Sequence, residues 1–123
     1  MRRFLLWGPP IVYMALIFHL SSESAPLPEV TTLVWDKLLH FIEYGILAVL
    51  FYRAFTGEGL NGLTSSLLAL AATSIYGASD EWHQMFVPLR TSDLSDWIAD
   101  TIGASIAIAA YAIFRRRTAY RSS

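Results

Sequence analysis

Four long apolar runs divide the chain, separated by short polar segments. The first, Phe4 to Leu20, follows Arg2 and Arg3. The second, Leu38 to Phe55, is interrupted by His40, Glu43 and Arg53. The third, Leu63 to Ala78, is rich in Ala, Leu and Ser. The fourth, Trp97 to Phe114, holds Asp100 as its one charge and then meets Arg115, Arg116 and Arg117. No run alternates apolar and polar residues, so strands are not expected. Each run comes near the length that a helix needs to cross a hydrocarbon core of about 30 Å, the third being the shortest. A helix also satisfies its own backbone hydrogen bonds in lipid. The pattern predicts an all-α, four-helix transmembrane bundle in one domain, with helices over roughly 4–20, 36–55, 63–84 and 94–114.

The connections fit this division. Pro26 and Pro28 break the chain between the first two runs, and Gly57, Gly59 and Gly62 make a turn between the second and third. Pro88 closes the third, and Thr91 to Ser95 offers N-caps for the fourth. Pro9 and Pro10 are expected in the first turn of helix one, where a missing N–H costs little. Close helix contacts are expected at Gly103, Ala107 and Ala110, and at Ala69, Ala71 and Ala72, because small residues let backbones approach. With four spans both termini share a side with Arg2, Arg3, Arg53, Arg115, Arg116, Arg117 and Arg121, leaving Lys37 and Arg90 on the other. The positive-inside rule puts that arginine-rich side, and so both termini, in the cytoplasm.

Composition narrows the function classes. Hydrophobic residues make up 54% and charged residues 15%, against about 25% charged in a typical soluble domain. The net charge of −1 gives no basic surface for nucleic acid. The absence of cysteine excludes disulfides, thiolate metal sites and cysteine nucleophiles. A cleaved signal peptide is the alternative reading of the first run, given Arg2, Arg3 and Ser22-Glu23-Ser24. Against it, the apolar stretch is long and a glutamate sits at the cleavage site.

The polar residues are not spread evenly. Of the ten acidic residues, all but Glu58 fall at the outer ends of the predicted helices or in the outer loops, as do His19, His40 and His83. Asp36, His40 and Glu43 share one stripe of helix two, with Tyr44 beside His40. Tyr76, Asp80, His83 and Gln84 repeat the pattern on helix three, and Asp93, Asp96, Asp100 and Gly103 on helix four. Glu43 and Asp100 lie about one turn inside apolar runs, where an ionised group normally faces the bundle interior and a partner. Single groups of this kind often only join helices by hydrogen bonds. Three stripes at one end exceed what a short bundle needs for that. They predict an outward-facing polar pocket floored by Glu43 and Asp100, bounded by His40, His83 and Tyr44, and supplied with Asp36, Lys37, Asp80, Glu81, Gln84, Arg90 and Asp96.

Three blocks carry a family resemblance. Asp36-Lys37-Leu38-Leu39-His40-Phe41-Ile42-Glu43-Tyr44 resembles the DKxxHFxxY block of the VanZ-like family. Asp80-Glu81-Trp82-His83-Gln84-Met85-Phe86-Val87-Pro88-Leu89-Arg90 resembles its DExxQxFxPxR block. Asp96, Asp100 and Gly103 resemble DxxxNxxG, with Asp100 where the family usually carries Asn. Ser21-Ser22 at the end of helix one is also similar. The resemblance implies a multi-pass protein of the bacterial inner membrane and cell envelope, in a family whose founding member is linked to teicoplanin resistance.

Three functions are compatible with these residues. The first is binding of a membrane lipid or lipid-linked cell-wall precursor by its headgroup, with Arg90 and Lys37 facing a phosphate and Asp80, Glu81 and Gln84 facing hydroxyls or amides. The second is a membrane-embedded hydrolase or transferase, with Asp36 or Glu81 orienting His40 or His83 and Ser21 as a weak nucleophile. No cofactor is expected beyond a divalent metal, for which Glu43, Asp80, His83 and Asp96 are candidate ligands. The third, a proton- or ion-coupled transporter, suffers from the lack of ionisable residues at mid-depth. Oligomeric state is left open by the sequence.

Overall fold

The computed structural model describes residues 1–22, 29–88 and 93–123, with side chains described outside 29–36. Four helices follow in order: α1 (Arg2–Ser22), α2 (Glu29–Gly57), α3 (Gly62–Gln84) and α4 (Leu94–Arg121). No strand occurs among the described residues. Helix α2 begins at Glu29, well before the first apolar residue of its run. Helix α4 continues through the arginine run to Arg121, since arginine propagates a helix well.

Polar caps and one glycine end the helices. Gly59 takes a positive φ of 99° in the turn after α2, a conformation that glycine adopts without steric cost. Asn61 then caps α3, its side-chain oxygen accepting from the Thr64 N–H at 2.8 Å. Asp93 caps α4 by accepting from the Ser95 N–H at 3.0 Å. That N–H holds the Asp93 carboxyl below its ordinary value.

The prolines correct one expectation. Pro9 and Pro10 lie inside α1 and not in its first turn. Proline at position 9 removes the N–H that would bond to the Leu5 carbonyl. That carbonyl accepts instead from the Arg53 guanidinium of α2 at 3.3 Å. The loss is thus met by a partner from another helix.

Helices α2, α3 and α4 pack mutually, with α2 and α4 in the most extensive contact. Helix α1 lies against α2 and α3 and does not pack on α4. The interior includes Tyr44, Leu47 and Ala48 of α2, Ala69 of α3 and Ala104 and Ile108 of α4. It also holds Ser65, Thr73, Asp80 and Asp100. The outside carries exposed Phe4, Ile11, Val12, Leu16, Leu67, Ile75, Ile102 and Ile106. An apolar exterior around a partly polar interior is the distribution that lipid surroundings require. Helix α1, the segment Lys37–Gly57 of α2, and α4 are each long and apolar enough to cross a membrane. Helix α3 spans 23 residues, but its serines and threonines make it less apolar.

Small residues set the helix spacing, though not at every expected position. A Cβ added at Gly103 would stand 2.4 Å from the Phe41 carbonyl oxygen, so α4 rests directly on the α2 backbone there. One at Gly45 would meet the Ala107 Cβ at 3.3 Å. Ala69 is buried and Ala72 and Ala107 half-buried, as expected of contact positions, whereas Ala71 and Ala110 are exposed. The periodicity of alanines alone does not tell which of them faces a neighbour.

The bundle has two distinct ends. At one, the Arg2 guanidinium donates to the Gly57 carbonyl, Arg3 pairs with Glu58 at 3.4 Å, and Arg115 donates to Thr56 at 3.1 Å. The start of α1 and the late part of α4 therefore meet at the α2–α3 turn. The opposite end joins Ser21, Lys37, Gln84 and Asp96.

Candidate functional site

Three helices deliver one stripe each to that opposite end. Helix α2 supplies Lys37, His40 and Tyr44, α3 supplies Gly77, Asp80, Glu81 and Gln84, and α4 supplies Asp96 and Asp100. Spacings of three and four keep each set on one helical face. The contact of Gly103 with Phe41 draws α4 onto α2 one turn from Asp100, and so sets Asp100 beside His40.

The deepest layer is a pair of hydrogen bonds between helices. The His40 Nδ1–H donates to Asp100 Oδ1 at 2.8 Å, with Asp100 fully enclosed. The Tyr44 hydroxyl donates to Asp80 Oδ2 at 2.9 Å. The His40 and Tyr44 rings lie parallel, with centroids 5.9 Å apart. Gly77 makes room for this layer, since a Cβ there would stand 3.0 Å from Asp100 Oδ2. Asp100 Oδ2 and Asp80 Oδ1 are buried and have no hydrogen-bond partner among the described residues.

An outer layer lies above it. Lys37 Nζ pairs with Asp96 Oδ1 at 3.2 Å, with Asp96 nearly buried and Lys37 partly open to solvent. Glu81 is buried and its Oε2 accepts from the Asp93 N–H at 3.2 Å. Single donor atoms of His40, Glu81 and Asp96 lie within 4.8 Å of one another. Aside from Glu81, the carboxylates Asp80, Asp96 and Asp100 stand against Lys37 and His40 among the described residues. Carboxylates withdrawn from water are costly unless paired or bonded to donors.

Not every candidate joins this cluster. Glu43 is half-buried and is not among the residues whose donor atoms converge at His40. His83 turns to α1, where its ring lies 4.4 Å from that of Phe18. The four-residue metal set expected from sequence is thus not assembled; the converging set is His40, Glu81 and Asp96. Gln84 and Ser21 are buried and used on each other, the Gln84 amide donating to Ser21 Oγ at 3.1 Å. Arg90 and the side chain of Asp36 lie outside the described residues. The sequence pattern does not single out Gly77, three residues before Asp80, or Gly45, four after Phe41, and helical spacing to those residues is the one signal that could have.

The VanZ/LLP1 family profile matches residues 7–115, which include every residue of both layers. The chain belongs to the VanZ/LLP1 family. An uncharacterized protein of Schizosaccharomyces pombe is 28% identical over 107 residues, covering 86% of this chain and 64% of the relative. The chain therefore spans less than two thirds of that relative. No solved structure gives a significant match. In VanZ/LLP1 terms the first block contributes Lys37, His40 and Tyr44, the second Asp80 and Glu81, and the third Asp96 and Asp100. Asp100 is the residue that holds His40.

Proposed function

We propose that this VanZ/LLP1 protein binds the polar headgroup of a membrane lipid at the polar cluster on the end of the bundle remote from its termini. The carrying observation is the set of buried carboxylates topped by Lys37, built into helices whose outer surfaces are apolar. Carboxylates accept from headgroup hydroxyls or an ammonium, while Lys37 faces a phosphate. The basic end then lies in the cytoplasm and the polar cluster on the outer side of the cell membrane. A lipid-linked cell-wall precursor presents the same chemistry. Its engagement is the route by which such a protein would affect glycopeptide resistance. A eukaryotic relative favours the broader class, a polar lipid.

Lipid extracted from the full-length protein, purified in mild detergent and analysed by mass spectrometry, tests this reading. One lipid class should be enriched over the bulk membrane, and Lys37→Met or Arg90→Leu should lose most of it while the helices stay folded. Unchanged lipid content in both variants removes the reading.

A second reading draws on the His40–Asp100 bond. A buried carboxylate that orients an imidazole is an arrangement suited to general base catalysis. On that reading the protein hydrolyses or transfers the headgroup, with His40 moving the proton. Release of phosphate or a water-soluble headgroup from added lipid, abolished in His40→Gln, would support it. No turnover by folded protein would remove it.

A further inference from the structure

We propose that His40, Glu81 and Asp96 bind a divalent transition-metal ion. The three side chains are buried and arise from α2, α3 and α4, so one ion would tie the three core helices together. Their donor atoms lie within 4.8 Å of one another. Metal bonds of about 2.1 Å set ligand atoms roughly 3–4 Å apart, so closure needs side-chain shifts on the order of 1 Å.

The surroundings of His40 supply an independent argument. Asp100 is bonded to Nδ1, which leaves Nε2 as the ring atom that can meet an ion once any proton on it is displaced. A carboxylate behind the imidazole is the support that metal-ligating histidines commonly have. The unpartnered buried oxygens of Asp100 and Asp80 point the same way. Both belong to side chains more than nine-tenths buried, and Asp100 is bonded through its other oxygen to the His40 ring. A nearby divalent charge would offset the cost of keeping them there.

The donor set limits the ion. One imidazole and two carboxylates suit Zn²⁺, Mn²⁺ or Fe²⁺. Three protein ligands leave positions open for water or a headgroup oxygen. Lys37 is the internal competitor, because its ammonium already pairs with Asp96 Oδ1. The inference shares its residues with the lipid reading but does not require a lipid.

The test uses full-length protein in detergent, stripped with a chelator and titrated with Zn²⁺ and, separately, Mn²⁺. Bound ion is measured by mass spectrometry and folding by circular dichroism. Binding of about one ion per chain is expected. Affinity should fall at least about tenfold in Glu81→Gln and in Asp96→Asn, and about 10–100-fold in Asp100→Asn. Lys37→Met should bind the ion more tightly, because it frees Asp96, although the same variant should lose lipid. Sub-stoichiometric binding by the folded wild type overturns the inference. So does equal affinity in the wild type and the folded Glu81 and Asp96 variants. Should those variants unfold, Lys37→Met decides alone, and an unchanged or weaker affinity overturns the proposal. Retained lipid without ion binding would leave the headgroup reading standing and remove this one.

Discussion

Around the α2–α3 turn, arginines lie in the open and reach across to backbone carbonyls and to Glu58; at the other end, carboxylates lie inside and meet a histidine and a tyrosine. The same helices run through both ends. At the first, Arg3 keeps 84% of its side chain exposed. Charges there stay hydrated, and each pair is worth about 0–1 kcal/mol. At the second, Asp100 has no exposed surface. The energy of each buried group there depends on its partner, because water cannot replace one that is lost. Charge in this protein is thus an anchor at one end and a built interior at the other.

The largest expected effect breaks the interior end. Asp100→Ala removes the partner of His40 and opens space beneath it, and should cost about 3–5 kcal/mol in thermal unfolding in detergent. Asp100→Asn keeps an acceptor for the imidazole and should cost less than half as much. If Asp100→Ala were no worse than a terminal arginine substitution, the contrast between the ends would be false. Next comes Gly103→Ala, whose Cβ would press on the Phe41 carbonyl. Forcing α4 off α2 should cost about 1–3 kcal/mol, read by the same melts. Tyr44→Phe leaves Asp80 Oδ2 without its donor, at about 1–3 kcal/mol and at the lower end where the carboxyl can rotate.

The smallest effects lie outside the interior. Arg3→Gln should stay within about 0.5 kcal/mol of the wild type. Asp93 adds a weak pH dependence. Its carboxyl is held below the ordinary value by the Ser95 N–H. The stability it contributes is complete above the unfolded value of about 3.9 and is lost as pH falls through the lower folded value. Asp93→Asn keeps the cap and should flatten that acid limb of the melting temperature against pH.

Much of this was legible before any coordinates. Long uncharged runs in lipid have one backbone solution, so the four helices and the absence of strands among the described residues follow from run length. The meeting of His40, Asp80 and Asp100 was legible too, because spacings of three and four leave few other faces for them. What periodicity does not resolve is a modest rotation of a helix about its axis. His83 shares its stripe with site residues, yet its ring packs on Phe18 of α1. Pro9 was misplaced for a different reason: its helix is repaired at Leu5 by Arg53, a residue far along the chain that no local signal connects to it. Glycines were legible only in part. Gly103 stood out in an apolar run, while Gly77 gains meaning only from the oxygen it faces.

The 60-residue separation between His40 and Asp100 bears on how the chain is made. Synthesis delivers the imidazole with the second helix and Asp80 and Glu81 with the third, while the carboxylate that holds the ring arrives only with the last. Until then the acidic wall stands unfinished beside lipid. A nascent chain halted after α3 can form the Tyr44–Asp80 bond but lacks the carboxylate that holds His40, which arrives only with the final helix.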